Sequence, residues 1–175
     1  MEPEIESNDQ AEKNLAIFSA RAVAFSVDLA LAAAGCLVSL KLAFPAYSPF
    51  LNPYSGQWAW LWTAIFLAYQ AYASSGGRRS LGKALVGLRI VDLQGAPLSF
   101  GKAALRSAAY LLSSIFNLGF LWAIFNPNNQ GWHDLAAGSL VLDERPQSAG
   151  RMTALRAGAC ACLALIGGLW YWNTI

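Results

Sequence analysis

Long apolar stretches alternate with short polar ones along the chain, and this pattern predicts membrane helices before anything else. The first stretch runs from about Leu15 to Phe44 and carries Arg21, Asp28 and Lys41 as its charges. Arg21 and Lys41 stand twenty residues apart, or ~30 Å along a helix, which matches the hydrocarbon thickness of a bilayer. The second runs from about Tyr54 to Ser75 without an acid or base, framed by Tyr54, Trp58, Trp60 and Trp62 at one end and Tyr69 and Tyr72 at the other, as interfacial aromatic belts are. The third, residues 103–125, is interrupted at Asn117-Leu118-Gly119. The last, residues 154–175, ends on Trp170, Tyr171 and Trp172, with Gly158, Gly167 and Gly168 small enough for close helix contact.

Between the second and third stretches, residues 78–102 predict a polar hairpin. Ser80 to Val86 reads as a short amphipathic helix at the membrane surface. Leu88 to Leu93 alternates like a strand, Gln94-Gly95 is a turn, and Leu98 to Phe100 is a candidate return strand. Ser139 to Leu142 is a further strand, fit to complete the hairpin. If it pairs with Leu88 to Leu93, residues 103–125 enter and leave on the same side as a re-entrant helical hairpin; otherwise they form a plain third span.

Composition strengthens the membrane reading. Of 175 residues, 56% are hydrophobic and 13% charged, where a soluble domain carries about 25% charged residues. The net charge of +2 and the lack of a basic patch with interleaved aromatics exclude nucleic acid as an expected partner. Residues 1–14 are acidic and polar, the reverse of a secretory leader, and predict a solvated arm. Arg78, Arg79, Lys83, Arg89 and Lys102 gather in the central hairpin, while the loop after the first span has no charge. The positive-inside rule then puts hairpin and N-terminus in the cytoplasm. Cys36, Cys160 and Cys162 lie in apolar runs without metal or disulfide spacing. No nucleophile motif, phosphate loop or metalloprotease motif is present, so neither an enzyme nor a cofactor is expected.

The residues that invite a mechanism are Arg21, Asp28, Arg106, His133 and Asp134. A spacing of seven places Arg21 and Asp28 on nearly one helix face, and a carboxylate in hydrocarbon costs several kcal/mol unless paired, wetted or protonated. Asp28 can be read as an acid that exchanges a proton for a cation, or as the partner of a buried ion pair with Arg21 or Arg106. His133-Asp134 suits a proton relay, or a helix cap in which Asp134 accepts from the amides of Ala136 and Ala137.

Three blocks in order, RAVAFSVD, SLGKALVGLRIVDLQGAPLSFGKAALR and GWHDLAAGSLVL, resemble the RDD family of small bacterial membrane proteins, named for one arginine and two aspartates. Arg21, Asp28 and Asp134 match those three. Ser139 stands where the family more often has threonine. The resemblance covers residues 15–143 and leaves out the acidic arm, a linker at 144–153 and the C-terminal helix. It implies an all-α polytopic protein of three or four transmembrane helices with a small cytoplasmic β element, in the inner membrane. It also implies exchange of sodium or potassium for protons, with Asp28 and Asp134 as ion-binding or proton-transfer acids supported by Arg21, Arg106 and His133. The other function to weigh is a non-transporting scaffold that recruits a partner through its cytoplasmic face. So short a chain has few helices to enclose a pathway, so a homo-oligomer is expected.

Overall fold

A computed structural model describes residues 15–47, 52–113, 118–145 and 148–172, with side chains in the last helix described through Ala161 except for Ala159. The elements are α1 (Phe18–Ala43), α2 (Ser55–Ser74), α3 (Leu81–Val86), β1 (Leu88–Asp92), α4 (Phe100–Ser113), α5 (Leu118–Phe125), α6 (Trp132–Ala137), β2 (Ser139–Asp143) and α7 (Ala149–Trp172). The acidic arm lies outside the described residues, as do the side chains of Trp170, Tyr171 and Trp172.

Helix α1 is the centre. Among the described residues it is the helix long and apolar enough to cross a membrane by itself. Its buried face carries the small residues Ala20 and Ala24, continued at the same four-residue spacing by Asp28. Small side chains let another backbone come close, and α3 takes that place: a Cβ on Gly82 would fall inside the Ala24 carbonyl oxygen and 3.1 Å from Asp28 Oδ1. The rest of α1 is dressed with exposed Leu29, Leu31, Leu37, Val38 and Leu42, a surface suited to lipid rather than water. Along its C-terminal half, Gly35 admits Trp62 of α2. There the Ser39 hydroxyl accepts from the indole N–H groups of Trp58 (2.9 Å) and Trp62 (3.0 Å). Lys41 closes the helix by donating to the carbonyls of Pro45 (2.7 Å) and Tyr47 (3.2 Å).

The polar part of the chain is built from one unit used twice. A six-residue helix, a left-handed glycine and a five-residue strand make up Leu81–Asp92, and again Trp132–Asp143. Gly87 (φ 88°) and Gly138 (φ 57°) terminate the helices in a conformation that a side chain would strain. The strands pair antiparallel, with Leu88 opposite Asp143, Ile90 opposite Val141 and Asp92 opposite Ser139. Ala16 adds to this sheet through its N–H to the Val141 carbonyl (2.9 Å). The predicted return strand at Leu98 to Phe100 does not form. Asp92 Oδ1 instead accepts from the Gln94 and Ala96 amides (3.0 and 2.8 Å), and after a single bridge between Val91 and Pro97 the chain turns into α4. Under the sheet lies the core of Ala20, Ala24, Val86, Leu88, Ile90, Leu98, Ala103 and Val141.

Helices α4 and α5 meet at 104° across the break at residues 114–117. Gly119 lies under Ser113 with no room for a Cβ, which sets the elbow's closeness.

Candidate functional site

Two polar clusters are buried beside α1, one for each helix–glycine–strand unit. The first gathers around Asp134, fully buried at the third position of α6. Its Oδ1 accepts from Arg106 Nη2 (2.6 Å), Arg106 Nε (2.9 Å) and the Ser139 hydroxyl (3.4 Å). Its Oδ2 accepts from Arg21 and from the Gly131 amide (3.0 Å), and His133 Nε2 lies 3.3 Å away. Arg21 also donates to the Asn129 carbonyl, and Arg106 to the Tyr110 hydroxyl (2.8 Å). Asp134 therefore reaches back to the helix start at Gly131, not forward to Ala136 and Ala137, as a third-position acid does in a capping box. Arg21 is likewise drawn inward and does not extend to the interface as a lone anchor.

Charge holds the cluster together. The guanidiniums of Arg106 and Arg21 hold the Asp134 carboxyl well below the usual carboxylate range, overriding the upward pull of burial. Burial pushes the His133 imidazole down to about 3, so the ring is neutral. A proton on Nε2 then satisfies Asp134, and Nδ1 accepts from the Ser113 hydroxyl (3.2 Å). Tyr110 and Phe120 rings flank the imidazole at 4.7 and 5.2 Å between centroids. With both carboxylate oxygens engaged and two arginines in contact, Asp134 stays ionised near neutral pH. This geometry suits a structural role for Asp134 and His133, the alternative to the proton-transfer and relay roles expected of them.

A pH dependence follows. The His133 pKa is depressed in the fold, so its contribution is present above the unfolded value of about 6.5 and is lost as pH falls towards 3. The Asp134 shift has the same sign and acts only below about pH 4. Between pH 7 and 5 the detergent-solubilised protein should lose up to ~2 kcal/mol through His133. Melting curves across that range should show the loss, and His133→Gln should flatten the slope. An equal slope in the variant would assign the acid sensitivity elsewhere.

The second cluster holds Asp28, 2% exposed. Its Oδ1 accepts from the Gly82 amide (2.8 Å) and its Oδ2 from Gln70 Nε2 (3.0 Å), while the Tyr69 hydroxyl lies alongside and accepts from the Leu81 amide (2.8 Å). Gln70 Oε1 in turn accepts from Lys83 Nζ (2.7 Å), which also reaches the Ser80 hydroxyl (3.2 Å). Asp28 is thus answered by the Gly82 amide, the Gln70 side chain and the Tyr69 hydroxyl, and among the described residues its hydrogen-bonded link to a cation runs through Gln70 to Lys83. Among the described residues Asp28 makes no ion pair with Arg21 or Arg106, the partner weighed for it, and both arginines instead hold Asp134. The nearly shared face of Arg21 and Asp28 misleads because the long guanidinium side chain reaches a different neighbour.

The sequence places Lys83 among the orienting cations of the central hairpin and does not single out Gln70. Both are buried. Burial pushes the Lys83 ammonium down to about 7, with Arg106 pushing the same way and Asp28 and Asp134 opposing. The available signal was the repeat itself: LGKALVG and WHDLAAG align with Lys83 opposite Asp134, both at the third position of their helices and both buried.

A family model for the RDD family matches residues 15–138. The chain belongs to the RDD family. Its members are membrane-associated, in keeping with the span-length apolar α1. The chain is also similar to Uncharacterized protein YxaI of Bacillus subtilis (strain 168), 35% identical over 77 residues that make up 43% of this chain and 50% of that protein. It thus spans about half the length of this curated relative. No solved structure matches it. Of the RDD residues, Arg21 and Asp134 form one ion pair, and Asp28 stands apart in its own cluster.

Proposed function

We propose that this RDD protein exchanges a monovalent cation, sodium or potassium, for a proton, with Asp28 as the acid that holds one or the other. One observation carries the reading: a buried carboxylate in the spanning helix is coordinated by neutral donors and not neutralised by an arginine. Gln70 and the Gly82 amide are neutral ligands, which a carboxylate releases at lower cost than the two guanidiniums on Asp134. A carboxylate in that setting gains from a proton or a small cation as its countercharge. Asp134, Arg21 and Arg106 then hold the scaffold, and Lys83 supplies a positive charge that competes for the site through Gln70.

The pairing of β1 with β2 supports a topology in which residues 100–138 leave and re-enter one face, with α4 and α5 as a re-entrant elbow. The arginines and lysines of the polar segments favour the cytoplasm for that face. Crossings by α1, α2 and α7 accompany it, and a second copy completes the enclosure of the pathway.

Proton movement driven by sodium or potassium gradients in vesicles of known orientation tests this. Asp28→Asn should lower flux at least tenfold while melting within a few degrees of the native protein, because the amide can keep the Gly82 contact. Absence of flux from the native protein with both cations between pH 6 and 8.5 would overturn it. The saturated Arg21–Asp134–Arg106 cluster favours the second reading, a non-transporting scaffold, and that result would select it.

A further inference from the structure

A groove beside α1 belongs to neither polar cluster. It encloses about 260 Å³ between α1, α3 and the start of α7, with Val23, Leu85, Ala154, Leu155 and Gly158 as its apolar walls. Arg145 and Arg151 stand at one end. From Arg151 to Gly158 is two helical turns, so the apolar floor extends ~10 Å away from the charged end. The arginines differ in kind. Arg151 is consumed by Asp143, at 2.7 and 2.9 Å, and by the Val86 carbonyl at 2.9 Å. Arg145 is exposed and lies across Gly87, its side chain making one long contact, 3.4 Å, to the Ala84 carbonyl. Among the described residues no carboxylate pairs with it. The neighbouring acids are already engaged, Asp143 by Arg151 and Glu144 by Arg79 (2.7 Å) and Arg89 (3.8 Å).

We infer that this groove binds an anionic phospholipid, with the phosphate on the Arg145 guanidinium and an acyl chain along Val23, Ala154, Leu155 and Gly158. Charge complementarity chooses the headgroup. Of the two arginines that line this end, Arg151 is answered by Asp143 and Arg145 is left in excess, so a zwitterionic lipid would bring its own cation to a site already positive, whereas a phosphodiester with no compensating amine answers the excess. The walls choose the chain. Val23 lies on the spanning helix and Leu85 is 63% exposed, so the groove opens where acyl chains are the solvent. The site would tie α7, which the RDD match does not reach, to the α1–α3 unit beside Asp28. It does not rest on the exchange reading.

Native mass spectrometry of the full-length protein, released from micelles doped with equal phosphatidylglycerol and phosphatidylcholine, tests the site. Two variants separate its halves. Arg145→Gln removes the charge, and Ala154→Trp fills the groove without touching an arginine. The native protein should retain phosphatidylglycerol at least fivefold over phosphatidylcholine, and each variant should abolish that preference with its melting temperature changed by less than about 3 °C. Equal retention of both lipids by the native protein would overturn the inference. So would an undiminished preference in Ala154→Trp, which would reduce the site to a headgroup contact without a bound chain. A preference unchanged in Arg145→Gln would overturn the phosphate assignment.

Discussion

Asp134→Asn should cost the protein its stable fold, although the substitution changes a single polar atom. The carboxylate is the common acceptor for Arg106, 3% exposed, and for Arg21. An asparagine offers one oxygen in place of two and no charge. Two cations would then face each other across a dry space, with Lys83 as a third cation acting on the same group of charges. Breaking a buried pair from one side costs ~3–5 kcal/mol because the abandoned charge stays buried, here with a second cation adding to it. For a chain of this size the melting temperature should fall by roughly 10 °C or more. Thermal melting in detergent, followed by size-exclusion chromatography, reads the effect directly. Adding Arg106→Met to Asp134→Asn should restore part of the loss, because it withdraws the deeper stranded cation. A single variant that melts within about 2 °C of the native protein would show that water or a neighbour already compensates Asp134, and the clasp would lose its structural role.

The contrast between the two aspartates was half legible in the sequence. Alternation at Leu88 to Leu93 and at Ser139 to Leu142 was enough to predict two strands, because period-two patterning is local. The apolar run from Leu15 to Phe44 likewise announced α1. What stayed hidden depended on which side chain meets which across more than a hundred residues. Arg21 and Asp134 are 113 positions apart, and nothing local in either stretch names the other. Geometry on an ideal helix instead suggested that Arg21 and Asp28 share a neighbour. The competing fact is reach: guanidinium and carboxylate differ in length, so similar angular positions deliver their charges to different clusters. Lys83 was misplaced for another reason. A lysine in a run of cations reads as solvated, and only the close seating of α3 on Ala24 takes it out of water. That seating depends on glycine at position 82, whose meaning in sequence is ambiguous between turn, cap and contact.

Gly82→Ala should therefore be among the most damaging small substitutions in the chain. A methyl group there would meet the Ala24 carbonyl oxygen well inside contact distance and its carbon at 2.8 Å. The obstacle is backbone on the central helix, so no rotamer change relieves it, and α3 must move off α1. Moving it removes the Gly82 amide from Asp28 and pulls Lys83 away from Gln70. Overpacking costs ~1–3 kcal/mol, and the lost hydrogen bond to a charged acceptor adds ~1.5–3 kcal/mol. Against this stands the ordinary gain of alanine over glycine in a helix, up to ~1 kcal/mol. Gly101→Ala isolates that gain, because Gly101 lies in α4 with nothing near its missing Cβ. The same substitution should thus act with opposite sign at two positions: a slightly raised melting temperature at Gly101, and a fall of roughly 5 °C or more at Gly82. If both variants melt alike, α3 is not held against α1 as closely as the Ala24–Gly82 contact requires. If Gly82→Ala melts low yet exchanges cations at the native rate, Asp28 works without the amide that α3 supplies. Loss of both together would tie the acid's chemistry to the seating of that short helix.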